Sequence, residues 1–398
     1  MLRHEQDTSA LSRRQFIGSC AAVGSLPLAM VLGDKADAND KKKRSASAKS
    51  LAATAQDKVR TVLGPIEPGQ LGNVLMHEHI PIVDWSELYE TPAAPYEGVR
   101  DEMVARSTDL LQKFAASLPE GQGPGAVVEC TPIRVGRYPD LMVEIAKKSK
   151  VHIIACTGFW GESHASQHPW AVRLSVSDGG IDQLAGLFIH EINDGMEDPS
   201  GEWGERFTDV RAGIIKCATS SFLKPSERFC HRAAAIASIE TGCPITTHTT
   251  DGGGLEQLKL FLEAGVAPAK IIIGHQGNMD DRTNQAAHEY HRQIAGEGCY
   301  VQFDRVGHGK YTVENQAQQI IELIHSGHGK QVLVSHDSVP YLYPEFANME
   351  KSAERWKTHE ADFTICTILL KKALKDLGAT DDDLRTIYVD NPQRVLAF

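Results

Sequence analysis

Eight short runs of apolar and β-branched residues punctuate the chain, at 73–80, 125–131, 152–159, 213–218, 244–249, 270–275, 299–304 and 331–337. Polar and apolar positions scarcely alternate within them, the pattern of strands covered on both faces. The stretches between repeat apolar positions at helical spacing, as at 226–240 and 254–264. Gly and Pro mark many strand entries: Gly242-Cys243-Pro244, Gly265 with Pro268, Gly296 and Gly298. Eight β-then-α units in succession predict an α/β fold, the (β/α)8 TIM barrel. An open doubly wound sheet is the rival, but no G-x-G-x-x-G follows the first strand.

Composition narrows the function more than the fold. The 398 residues are 41% hydrophobic and 23% charged, with 34 Gly and 18 Pro. That balance is globular and excludes collagen-like, mostly disordered and multi-span membrane chains. A formal net charge of −11 argues against a nucleic-acid partner, which needs a basic face. Seventeen histidines are many for this length, and several end apolar runs, which points to metal.

The beginning of the chain reads as an address. Ser12-Arg13-Arg14-Gln15-Phe16-Ile17 precedes an apolar, small-residue run over 16–32, and Ala36-Asp37-Ala38 supplies a small-x-small cleavage pattern. Residues 1–38 are therefore expected to be a twin-arginine export signal, with a periplasmic or cell-envelope destination. A membrane anchor needs about 20 apolar residues, and this run is short and carries Gly18, Gly24 and Pro27. The mature form is expected to have no stable span. Cys20 sits too early in the run for a lipoprotein site. Residues 39–58 read as a flexible leader rich in Lys, Ala and Ser, and 59–398 as the barrel. Cys130, Cys156, Cys217, Cys230, Cys243, Cys299 and Cys366 remain, an odd number with no C-x-x-C pair. They read as buried packing thiols.

Barrel enzymes work at the C-terminal ends of their strands. The first strand ends in His77-Glu78-His79, the fourth carries Lys216, the fifth His248, the sixth His275 and the eighth Asp337. Residues two apart on a strand share a face, so His77 and His79 are expected together in the barrel interior. Interior imidazoles cost desolvation unless their lone pairs are used. A lone interior His is usually a satisfied core residue, but a pair joined by His248 and His275 at one barrel end is a ligand set. Four His and one Asp exceed what one tetrahedral ion with an open position needs, so two ions are inferred. Lys216 lies in Ile214-Ile215-Lys216-Cys217-Ala218, too apolar for a surface lysine. An ammonium has no lone pair to give, but a free amine can add CO2 and become a carbamate that bridges two ions.

That constellation resembles the binuclear amidohydrolase superfamily. The words around it resemble its phosphotriesterase family: Leu75-Met76-His77-Glu78-His79-Ile80, Ile214-Ile215-Lys216-Cys217-Ala218-Thr219, Pro244-Ile245-Thr246-Thr247-His248-Thr249, Ile273-Gly274-His275 and Val334-Ser335-His336-Asp337. Thr61-Val62-Leu63-Gly64-Pro65-Ile66 matches the family's opening hairpin and Asn391-Pro392 its closing helix. The resemblance runs from about Val59 to Phe398. It implies that His77, His79 and Asp337 hold the more buried ion, and that His248 and His275 hold the more exposed one. Lys216, carboxylated by CO2, bridges both with a hydroxide. It implies zinc, or manganese, cobalt or iron, which the same donors suit. The implied reaction is hydrolysis of a phosphotriester, lactone or carboxyl ester, with Asp337 taking the proton, and the implied assembly is a homodimer. A barrel that has lost catalysis and acts as a binding protein is the alternative, and the presence of all six positions argues against it.

The departures bear on substrate. Where the family's efficient organophosphate hydrolases place a His and an Asp as a proton relay, this chain has Arg305 after Asp304 and Asn278 three residues beyond His275. Asp304-Arg305 resembles the lactonase branch. Arg305 is read as substrate-binding, or equally as a structural ion pair beside Asp304. Trp160 resembles the organophosphate hydrolases and reads as pocket wall. Tyr341, Tyr343, Phe346 and Trp356 fall on the loop after the last strand, 195–211 reads as an extra loop, and His288 and His291 read as solvated helix residues.

Overall fold

A computed structural model describes residues 57–84, 100–159, 173–201, 204–219, 223–249, 252–277, 284–309, 311–343 and 361–398. A hairpin opens the fold: β1 (Val59–Thr61) pairs antiparallel with β2 (Gly64–Ile66). The barrel strands follow as β3 (Val74–Glu78), β5 (Ala126–Glu129), β6 (His152–Gly158), β7 (Ile214–Ala218), β8 (Ile245–His248), β9 (Ile271–Ile273), β10 (Tyr300–Phe303) and β11 (Val332–Val334). All are parallel to their neighbours and ordered around the barrel as in the chain. Each lies inside its predicted run; β7 reaches the end of its run and the other seven stop one to three residues short.

Helices Arg100–Ala116, Pro139–Ser149, Gly180–Asn193, Pro225–Thr241, Gly254–Ala264, Asn284–Gly296 and Val313–His325 fill the crossovers. They bury one stripe each against the outer faces of the strands, where Leu75, Val127, Ile153, Ile215, Ile245, Ile273, Val301 and Val334 share one core with them. A second cluster, with Val74, Met76, Val128, Ile154, Ile214, Ile272, Tyr300 and Leu333, fills the inside. Burial on both faces explains why the strands read as apolar runs without alternation.

Two irregularities position the site. Between Leu75 and Glu78 the register of β3 against β5 slips by one: Leu75 lies opposite Val127 and Glu78 opposite Glu129, so Met76 and His77 share one partner position. This β-bulge re-aims the side chains beyond it. Met76 packs inside the barrel, and strict alternation from it would send His77 outward; the extra residue turns His77 inward as well.

The second irregularity is the seam. No strand ladder joins β3 to β11. Their ends are joined instead by Asp337 N–H to the His77 carbonyl at 3.0 Å and His79 N–H to the Ser338 carbonyl at 3.0 Å. Just beyond, β4 (Ile82–Asp84) and β12 (Tyr341–Tyr343) pair in parallel and continue the seam past the rim. The 195–211 segment forms a loop closed by an antiparallel bridge between Glu197 and Phe207. It is pinned by the buried Arg134–Glu197 pair at 2.8 Å and by Glu197 N–H donating at 2.9 Å to Glu191, which is itself paired with Arg137 at 2.6 Å. The seven described cysteines are buried and none is joined in a disulfide, as the sequence predicts. No helix among the described residues is long and apolar enough to cross a membrane.

Candidate metal centre

The five strand ends deliver their side chains to one barrel mouth. His77 and His79 come from the bulged β3, Lys216 from β7 and His248 from β8. His275 and Asp337 stand just past β9 and β11, both in the left-handed region at φ 54° and 57°. Few non-glycine residues adopt it, and here backbone bonds hold it: His275 N–H to Asp304 Oδ1 at 3.0 Å and Asp337 N–H to the His77 carbonyl. Gly274 lets His275 approach, since a Cβ there would sit 2.0 Å from the Thr247 carbonyl oxygen.

The donor atoms face one another. His77 Nε2 lies 2.9 Å from Lys216 Nζ and 3.6 Å from Asp337 Oδ1. His79 Nε2 lies 3.1 Å from the same carboxylate oxygen, with its Nδ1 against Thr131 Oγ1 at 2.9 Å. His275 Nε2 lies 2.7 Å from His248 Nδ1 and 3.8 Å from Asp337 Oδ2. Asp337 thus spans both clusters, one oxygen to each.

Asp304 was legible only as a neighbour of Arg305, and it proves central. Fully buried at the end of β10, it takes His77 Nδ1–H at 3.0 Å and His275 Nδ1–H at 2.6 Å, and Gln302 Nε2 donates to it at 2.6 Å. One carboxylate therefore sets the tautomer of two ligand candidates and leaves both Nε2 lone pairs facing the mouth. His77, His275 and Asp304 also converge as a group able to hold an ion, as do His77, His79 and Asp337. The signal for Asp304 was its place: a carboxylate at the C-terminal end of a barrel strand.

Burial, then the Lys216 charge, lowers the His77 pKa; burial, then His275, holds His248 well below the ordinary value. Burial, then Arg305, pushes His275 down to about 4. These imidazoles are neutral at pH 7, the form that binds metal. Burial opposes ionisation of Asp337, but His275, the His79 hydrogen bond, His77 and Arg305 outweigh it and hold the carboxyl well below its usual range. Of these, Arg305 carries a charge at neutral pH whatever the imidazoles do. Neutral nitrogens and a carboxylate crowded around shared protons are a donor set that fits divalent transition ions.

Arg305 does form an ion pair, through Nε to Asp337 Oδ2 at 3.0 Å. Asp304 is already saturated by imidazole and amide donors. His291 is buried rather than solvated: Nε2 donates to the Gln276 carbonyl at 3.0 Å, and the ring meets Phe303 edge-on. Its helix turns inward there to support the turn after His275. His288 is half-buried, 4.0 Å from Glu322. Trp160, Asn278, Phe346 and Trp356 lie outside the described residues.

Residues 57–396 match the model of the phosphotriesterase family. The "phosphotriesterase homology protein" of Mycobacterium tuberculosis is 29% identical, covering 85% of this chain and 97% of its own. The aryldialkylphosphatase of Saccharolobus solfataricus is 27% identical over 83% and 96%. The N-acetyltaurine hydrolase of Rattus norvegicus is 25% identical over 86% and 98%. A solved structure from the engineering of organophosphate hydrolysis activity on a weak promiscuous lactonase template superposes with a TM-score of 0.70 at 28% identity, covering 85% of this chain and 99% of that one.

Proposed function

The chain belongs to the phosphotriesterase family of metal-dependent hydrolases, and from that premise we propose that its two-ion centre hydrolyses lactones or carboxyl esters in preference to aryl phosphotriesters. The convergence of four imidazoles, Lys216 and Asp337 at one mouth carries the reading. His77, His79 and Asp337 would hold one ion, His248 and His275 the other, with Lys216, carboxylated by CO2, between them. Zinc suits this set best, with manganese, cobalt and iron as substitutes. When bound, the ions supply Lewis acidity toward the ester oxygen and a nucleophile from water near neutral pH.

The chain's own residues do the rest. Asp304 keeps two imidazoles aimed by holding their Nδ1 protons. Asp337, kept ionised by Arg305, accepts a proton at its carboxylate. Arg305 also offers its guanidinium edge to a substrate carbonyl or carboxylate. Trp160 is assigned to the pocket wall. With Arg305 and Asn278 at the family's relay positions, proton export from Asp337 is slow, which penalises fast aryl phosphotriester turnover. We further propose that residues 1–38 direct twin-arginine export.

The test is a kinetic panel on metal-loaded protein with lactones, carboxyl esters, aryl phosphotriesters and an N-acyl amide, the last because one relative is named for amide hydrolysis. The expected result is kcat/KM for a lactone or carboxyl ester at least ~10-fold above that for any aryl phosphotriester, about 1.4 kcal/mol of barrier. Faster phosphotriester turnover with every lactone inert would overturn the ranking.

A further inference from the structure

Glu78, the residue between the two first-strand histidines, is fully buried, and no lysine or arginine pairs with it among the described residues. A buried carboxylate with no lysine or arginine partner persists only where hydrogen-bond donors replace water. Its donors all come from one short segment. Oε1 accepts from Ser335 Oγ at 2.7 Å, His336 Nδ1 at 2.8 Å and His336 N–H at 3.0 Å, and Oε2 accepts from Ser338 N–H at 2.8 Å. The backbone amides on either side of Asp337 are thus gripped by the two oxygens of one carboxylate. Asp337 sits between them at φ 57°, a conformation that an unrestrained aspartate rarely keeps.

The grip has its own support. Cys366 N–H donates to His336 Nε2 at 2.8 Å, which leaves the His336 proton on Nδ1, facing Glu78. Ser335 Oγ, donating to Glu78, also accepts from His77 N–H at 2.9 Å.

We propose that Glu78 is a positioning residue: it fixes the left-handed turn at Asp337 and so sets the aim of that carboxylate into the metal centre, with His336 orienting Glu78. The proposal rests on the two-ion reading of the site. Glu78 itself does not reach the mouth, because the bulge that turns His77 inward turns Glu78 toward β11.

The test uses the full chain, stripped with a chelator and titrated with Co2+. In Glu78→Gln, the amide nitrogen must face one of the flanking backbone N–H groups. The expected result is Co2+ affinity weakened ~10–100-fold, the range for losing an outer partner of a ligand, with an altered visible spectrum of the bound ion. A purely structural role would lower thermal stability and leave the spectrum of the bound ion unchanged, and that result overturns the proposal. If Glu78→Gln does not fold, the His336 pair decides. His336→Asn keeps an amide N–H near Nδ1 and should stay within about 2-fold of wild-type affinity, whereas His336→Gln loses the bond to Glu78 and should fall several-fold. Equal behaviour of the two overturns it. Wild-type protein that takes up no Co2+ removes the two-ion reading itself; wild-type uptake with an unperturbed Glu78→Gln spectrum removes only this one.

Discussion

Lys216 is the residue whose chemistry the site constrains most. Fully buried, it presses its amine against His77 Nε2 at 2.9 Å. On the proposed two-ion reading, an amine there would gain by becoming a carbamate, an anion that two cations would stabilise. Lys216→Ala should lose at least ~100-fold in activity, beyond the cost of removing an outer partner, and bind less metal. Added short-chain carboxylate with metal should restore part of the activity; full activity without rescue would sink the carbamate. Their places on predicted barrel strands marked this residue, the four histidines and Asp337 as a converging set, and the structure brings them to one mouth. Asp304 and Glu78 were not legible in the same way. Each acts through partners 29 and 258 or so residues away, and nothing local to either marks whom it serves.

Among the elements, the strands were legible because burial on both faces leaves continuous apolar runs. The bulge in β3 was not, since it depends on the pairing register with β5. The rule of two gave the right face for His77 and His79 relative to each other and missed that Met76 joins them inside. Helix Pro225–Thr241 carries a separate consequence. His231 is fully buried there, bonded through Nδ1 to the Glu227 carbonyl and stacked on Phe261 at 5.2 Å. Burial drives its pKa down from 6.5 to about 4. The folded state therefore binds this proton less readily than the unfolded chain. The stabilisation is whole above pH 6.5 and is lost as pH falls toward 4, on the order of 3 kcal/mol. His231→Asn, which keeps a donor for Glu227, should be less stable than wild type at pH 7. Its further loss between pH 6.5 and 4 should be shallower in urea titrations; parallel losses would show that His231 does not set the acid limit.

At the scale of the whole molecule, the twin-arginine reading makes a cellular prediction: replacing Arg13 and Arg14 by Lys should leave the precursor in the cytoplasm, checked by fractionation. Unchanged export would point to another route. The barrel itself is laced around seven of its eight joints by strand ladders. The eighth is spanned by the His77–Asp337 and His79–Ser338 backbone bonds and by the Glu78 carboxylate. His77 and His79 stand on one side of that joint and Asp337 on the other. An ion held by all three would therefore be a further clasp across the one joint that no strand ladder closes. Native-state hydrogen exchange would find the softest amides of the wall there in the stripped protein and the largest gain in protection on loading, so that losing the cofactor and beginning to unroll are one event.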